Sequence, residues 1–201
     1  MVKTPERSQN NLIVAILGAW LCFALAVGVA GSFRNASAGL VALTVWGLAA
    51  LVLLAIWKIP FIRNWVAIVD LRTVIALHLT RFIGIYFLIL AQHGKLPPGF
   101  ARPAGLGDIV IAIAAVVLLA APQLRSWQKL LRLWNFLGFI DIVFVAFSAL
   151  RFGLQDWQSM AALRTLPLSL LPTFFVPLII ASHVLIFVRL TAPGALAPKP
   201  K

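Results

Sequence analysis

Apolar residues in this chain come in long runs broken by short polar gaps, not in alternating or heptad patterns. Crossing ~30 Å of hydrocarbon takes about 20 apolar residues in a helix. Six runs approach that length: 12–30, 39–57, 73–92, 104–121, 133–150 and 167–188. The expected fold is therefore all-α, a polytopic bundle of six transmembrane helices in one membrane domain covering residues 1–201. The fourth run is the least regular, because Asp108 interrupts it and Pro122 closes it. Trp57, Trp65, Trp127 and Trp134 flank run ends, where aromatic belts form.

The links are too short for a soluble domain. Residues 154–163 place Leu154, Trp157, Met160 and Leu163 near helical spacing, which predicts a short helix lying in the outer interface. HGKLPPGFARP, 93–103, is rich in Pro and Gly and reads as a shaped turn. The tail APGALAPKPK, 192–201, reads as a flexible basic end. No internal repeat is visible, unlike the inverted repeats of many transporters. The first run follows a mildly basic start and ends on Gly28-Val29-Ala30, a cleavage-like pattern, but it is longer than a signal peptide's apolar region.

Composition agrees with lipid as the solvent. The chain is 62% hydrophobic and 11% charged, whereas a soluble domain is roughly a quarter charged. Its net charge of +12 does not point to nucleic acid, because the basic residues sit in the gaps between runs, with no basic face of exposed aromatics. Six spans put the N-terminus, the second and fourth links and the C-terminus on one side. That side holds eleven of the 17 Lys and Arg, among them Arg63, Arg72, Arg132 and Arg189, and the other side holds five. Both termini are thus expected in the cytoplasm. Cys22 is the single cysteine, which excludes a disulfide within the chain.

Polar residues inside the runs carry the candidate chemistry. An ionised side chain at a helix centre costs about 2.5–3.5 kcal/mol on insertion scales, so each needs a partner or a water-filled cavity. The candidates are His78, Arg81, Asp108, Asn135, Asp141 and His183. Counted from the cytoplasmic ends of their runs, Arg81 and Asp141 both lie ~12 Å deep at a rise of ~1.5 Å per residue, which predicts an opposite-charge pair. Such a pair costs about 5–7 kcal/mol to insert and regains roughly 4 kcal/mol at an effective dielectric of about 20. A structural role and a functional one are both open to it.

His78 and His183 fall at one depth, ~7–9 Å, and on an α-helix His78 and Arg81 stand roughly 60° apart. Trp134, Asp141 and Ser148 recur every seven residues on one face, with Asn135 beside it, and that face is expected to pack on the third run. Asp108, behind Gly105-Leu106-Gly107, is expected near the outer end of its helix, as a cap. Pro172 and Pro177 each obstruct the carbonyl four residues earlier, Leu168 and Thr173, and so bend the last span.

RFIG at 81–84, LPPGFA at 96–101, AGLGD at 104–108, WNFLGFID at 134–141, LPTFFVP at 171–177 and His183 together resemble an uncharacterised family of small bacterial multi-pass inner-membrane proteins. The resemblance covers about residues 72–190 and carries no established activity, substrate or cofactor. It implies a bacterial cytoplasmic membrane and directs interest to Arg81, Asp108, Asn135, Asp141 and His183.

Four functions follow in order. The first is an intramembrane binding or proton-linked transport protein, with a pocket around Arg81, Asp141 and His183 for a proton or a small anionic or lipid-like ligand. A homo-oligomer could supply the symmetry that the chain lacks. The second is a structural or assembly subunit with a satisfied polar core. The third is a b-type haem protein with His78 and His183 as axial ligands, although no cofactor or metal is required by the pattern. An enzyme acting on lipid comes last, since no HExxH, GxSxG, aspartate-rich motif or glutamate pair occurs.

Overall fold

The computed structural model describes residues 7–121 and 127–191. Six helices in it are long and apolar enough to cross a membrane: Arg7–Val29, Ala38–Lys58, Leu71–Gln92, Pro98–Ala120, Gln128–Gln155 and Leu171–Thr191, here the first to sixth spans. The described residues contain no strand. The sixth span is the most enclosed and the first the least. Large apolar side chains such as Phe23, Leu43, Val110 and Phe147 remain exposed on the outside of the bundle, as a lipid-facing surface requires.

The first span stands at the periphery, held by few polar contacts. Asn10 accepts a hydrogen bond from Trp65 Nε1 at 2.7 Å, and Trp20 Nε1 donates to the Thr173 carbonyl at 2.9 Å. The second contact has a cause in the sequence. Pro177 has no N–H to offer Thr173, and the freed carbonyl takes the indole instead. Around Pro172 the sixth span widens into a π-helical turn over Leu171–Phe175 before resuming as α-helix over Val176–Thr191.

Several boundaries differ from the sequence reading. The fourth span begins at Pro98 rather than 104, so most of the expected turn 93–103 is helix. Pro98 fits because a helix's first N–H has no acceptor to lose, and Pro103 frees only the Gly99 carbonyl near the helix end. The fifth span runs to Gln155, and no helix covers 154–163. Asp156 caps a turn by accepting from the Gln158 and Ser159 amides, and only Ala161–Arg164 winds, as a 3-10 turn. A short amphipathic helix not foreseen from sequence, Pro60–Ile68, joins the second and third spans. It packs Val66 against Ile56 and Leu185. The basic tail lies outside the described residues.

The third span is not uniform. It is α-helical over Leu71–Ala76 and Gly84–Gln92, and 3-10 over Leu77–Ile83. Three residues per turn eclipse positions i and i+3, so His78 and Arg81 point the same way instead of 60° apart. Both are buried. Against this row the third and fourth spans approach backbone to backbone. A Cβ at Gly105 would lie 2.7 Å from the Gly84 carbonyl oxygen. Glycine at both positions is what allows the third and fourth spans to touch and Arg81 to reach across.

Basic side chains close one end of the bundle. Arg189 donates to the Val69 carbonyl at 2.6 Å, and Arg72 donates to the carbonyls of Leu119 and Ala121. Both cations satisfy acceptors at helix ends, Arg189 that of the Pro60–Ile68 helix and Arg72 that of the fourth span, whose negative dipole end it complements.

Candidate functional site

The polar side chains of the third to sixth spans meet in one buried cluster. Arg81, Asp108 and Asp141 each fall near the middle of their helices, roughly 15–20 Å from either end at ~1.5 Å per residue. The greater depth than the sequence count gave comes from helices that begin earlier than the apolar runs do. Arg81 divides its donors among three acceptors. Nε donates to Asp108 Oδ1 at 2.7 Å, Nη1 to the Gly138 carbonyl at 3.0 Å, and Nη2 to Asp141 Oδ2.

Asp108 is therefore not an outer cap. With the helix starting at Pro98, it sits at the helix middle and faces Arg81. Arg81 stands between two carboxylates rather than opposite one. Their surroundings differ, since the Asp108 side chain is 5% exposed and that of Asp141 19%. Asp141 lies in a notch made by Gly107, where a Cβ would collide with its carboxylate. Leu106 and Val110 on one side and Leu137 and Ile140 on the other are exposed around that notch, so Asp141 is the member of the cluster nearest the outer surface of the bundle.

One turn away stand the two histidines, both fully buried, with ring centroids 4.4 Å apart. Their tautomers follow from their partners. Asn135 Nδ2 donates to the His183 carbonyl at 3.1 Å, which turns Oδ1 toward His183 Nδ1 at 2.8 Å. An amide oxygen only accepts, so Nδ1 of His183 carries the proton. Ser182 Oγ donates its one proton to the Ile179 carbonyl at 2.8 Å and lies 3.1 Å from His78 Nε2. His78 must then donate from Nε2. Each ring keeps one bare nitrogen, Nδ1 of His78 and Nε2 of His183, buried and without a hydrogen-bond partner among the described residues.

The two parts of the cluster join at Gly138. Its carbonyl holds Arg81, and a Cβ there would lie 2.6 Å from Cε1 and 3.0 Å from Nε2 of His183. The bare edge of His183 thus rests on the backbone that Arg81 grips. Trp134 forms the next layer, edge-on to His78 at 4.8 Å and 3% exposed, with Nε1 donating to the Ile111 carbonyl at 3.0 Å. It is a core residue and not part of an aromatic belt.

Two sequence expectations change here. The imidazoles touch each other, whereas axial ligands of one iron stand on opposite faces of a macrocycle, so His78 and His183 as placed do not fit haem. The cluster is also closely packed, with His78, Arg81, Asn135 and His183 at most 1% exposed, and an apolar cavity of about 70 Å³ lies apart from it, between the second, fifth and sixth spans.

The residues that sequence reasoning did not single out are Ser182, Gly107 and the Gly84–Gly105 contact. Small residues in apolar runs are the signal for close helix approach, and Gly105-x-Gly107 beside Asp108 carries it.

A family model for a domain of unknown function, DUF8737, matches residues 38–191, and the chain belongs to that family. The match takes in the second span as well as the region from 72 onward, and leaves the first span outside. No curated protein and no solved structure matches the chain.

Proposed function

We propose that this multi-pass membrane protein is a proton-linked binding or transport protein whose proton site is the Arg81–Asp108–Asp141 cluster with His78 and His183. The observation that carries the reading is the charge count at the middle of the spans. Two carboxylates face one guanidinium. With both ionised the group is −1, and one proton makes it neutral. An unbalanced charge at that depth is costly, so neutrality couples the site to proton uptake. Two bare imidazole nitrogens one turn away extend the set of proton acceptors toward the basic end of the bundle.

An anionic ligand at Arg81 is disfavoured, because its donors already face two carboxylates and a carbonyl. The distribution of Lys and Arg supports cytoplasmic termini, and the family resemblance supports a bacterial inner membrane as the location. The complete pairing of Arg81 favours a second reading, a structural subunit locked by its charges.

Proteoliposomes separate the two. With a pH dye inside and an imposed potassium diffusion potential, wild type should admit protons faster than empty vesicles. Asp141→Asn and His183→Gln should abolish the excess. Equal leak in wild type, variants and empty vesicles refutes transport and leaves the structural role.

A further inference from the structure

The second buried arginine among the described residues, Arg164, has no carboxylate partner among them. It is 7% exposed, yet its acceptors are neutral: Nη1 donates to the Arg34 carbonyl at 2.6 Å and Nη2 to the Trp157 carbonyl at 3.1 Å, with Gln158 Oε1 at 3.4 Å. Its guanidinium stacks on the Trp157 ring, 4.8 Å from the centroid, and its Nε has no partner among the described residues. The one acid in that link, Asp156, is committed to the amides of its own turn. Arg34, exposed on the adjoining link, adds a second cation to the same rim.

Trp157 connects this charge to an apolar space. The ring under Arg164 also lines the partly open cavity of about 70 Å³, whose other walls include Ala42, Trp46, Val145, Ala146 and Pro172. Pro172 belongs to the π-helical turn that widens the sixth span at this level. A hydrocarbon slot thus ends at a desolvated cation whose partners among the described residues are all neutral.

We infer that this groove binds a phospholipid with an anionic headgroup, its chain lying in the slot and its phosphate at Arg164 and Arg34. Guanidinium–phosphate contacts are charge-assisted and directional, and a cation with spare donors at a membrane rim selects them over zwitterionic headgroups. The site shares no residue with the Arg81 cluster and does not depend on the proton reading.

Native mass spectrometry of the purified protein with phosphatidylglycerol and phosphatidylcholine of identical chains tests it. Wild type should retain phosphatidylglycerol preferentially. Arg164→Gln should lower that preference about tenfold, the loss of one charge-assisted contact. Arg34→Gln, an exposed change that leaves the fold intact, should lower it less. Ala42→Trp should fill the slot and release both lipids. Asp141→Asn should bind lipid as wild type does, whatever the proton assay shows. Equal retention of the two lipids overturns the proposal, as does retention that survives Ala42→Trp. Inorganic phosphate competing as well as the lipid would place the site's affinity in the anion alone and also overturn it. If Arg164→Gln does not fold, Arg34→Gln and Ala42→Trp decide the matter.

Discussion

Replacing Arg81 with methionine removes a cation that two carboxylates share and keeps most of the side chain's apolar stem. The structure sets the scale of the loss. Two charge-assisted hydrogen bonds disappear, to Asp108 and Asp141, together with one to the Gly138 carbonyl. Breaking a buried pair by removing one partner costs about 3–5 kcal/mol, and here both acids lose their partner. Arg81→Met should therefore destabilise by about 3–5 kcal/mol in equilibrium unfolding followed by circular dichroism in mixed micelles. Adding Asp141→Asn should recover only part of it, because Asp108 remains charged, buried and alone. Adding Asp108→Asn instead should recover more, since Asp108 is the more enclosed acid. The triple variant should recover most. The deficit of Arg81→Met should also shrink as pH falls, because a protonated carboxyl needs no counter-charge. Full recovery in the Arg81→Met/Asp141→Asn double variant would refute the three-membered cluster and return the site to a simple pair.

Four further outcomes follow from the same geometry. Gly138→Ala drives a methyl group into His183 and should cost about 1–3 kcal/mol through overpacking, read in the same unfolding assay. Nitrogen NMR of histidine-labelled protein, assigned by single replacements, should show His183 protonated on Nδ1 and His78 on Nε2; matching tautomers in both rings would contradict the hydrogen-bond assignment. Asn135→Leu leaves His183 Nδ1 unpaired and should cost about 1–3 kcal/mol, with the His183 tautomer no longer fixed. Trp134→Phe loses the bond to the Ile111 carbonyl and should cost about 1 kcal/mol while leaving proton flux unchanged.

The six spans were legible because lipid imposes one rule on length and apolarity, and the runs obey it. The convergence of Arg81 and Asp141 could be argued from depth alone, since equal offsets in two helices entering from one side bring side chains level. Asp108 escaped that count. Pro97, Pro98 and Gly99 look like turn residues, and the start of the fourth helix moved with them. A proline at the first helical position breaks nothing, and composition does not distinguish it from one in a loop. The alignment of His78 with Arg81 escaped for another reason. Leu77–Ile83 carries no proline or glycine to announce its tighter winding, which packing of Gly84 against Gly105 accompanies. The role of Trp134 was misread because aromatic residues near run ends usually meet the interface, and the fifth helix extends well beyond its apolar run.

The charge count at Arg81 is tested most directly by infrared difference spectroscopy of the membrane-reconstituted protein through a pH titration. A buried carboxyl that binds the balancing proton should give a carboxylic-acid carbonyl band that shifts in deuterated water, falls as pH rises, and is lost in Asp141→Asn or Asp108→Asn. A spectrum with no such band at any pH, or one that both substitutions leave unchanged, would show that the cluster holds no exchangeable proton and would contradict the proton-linked account.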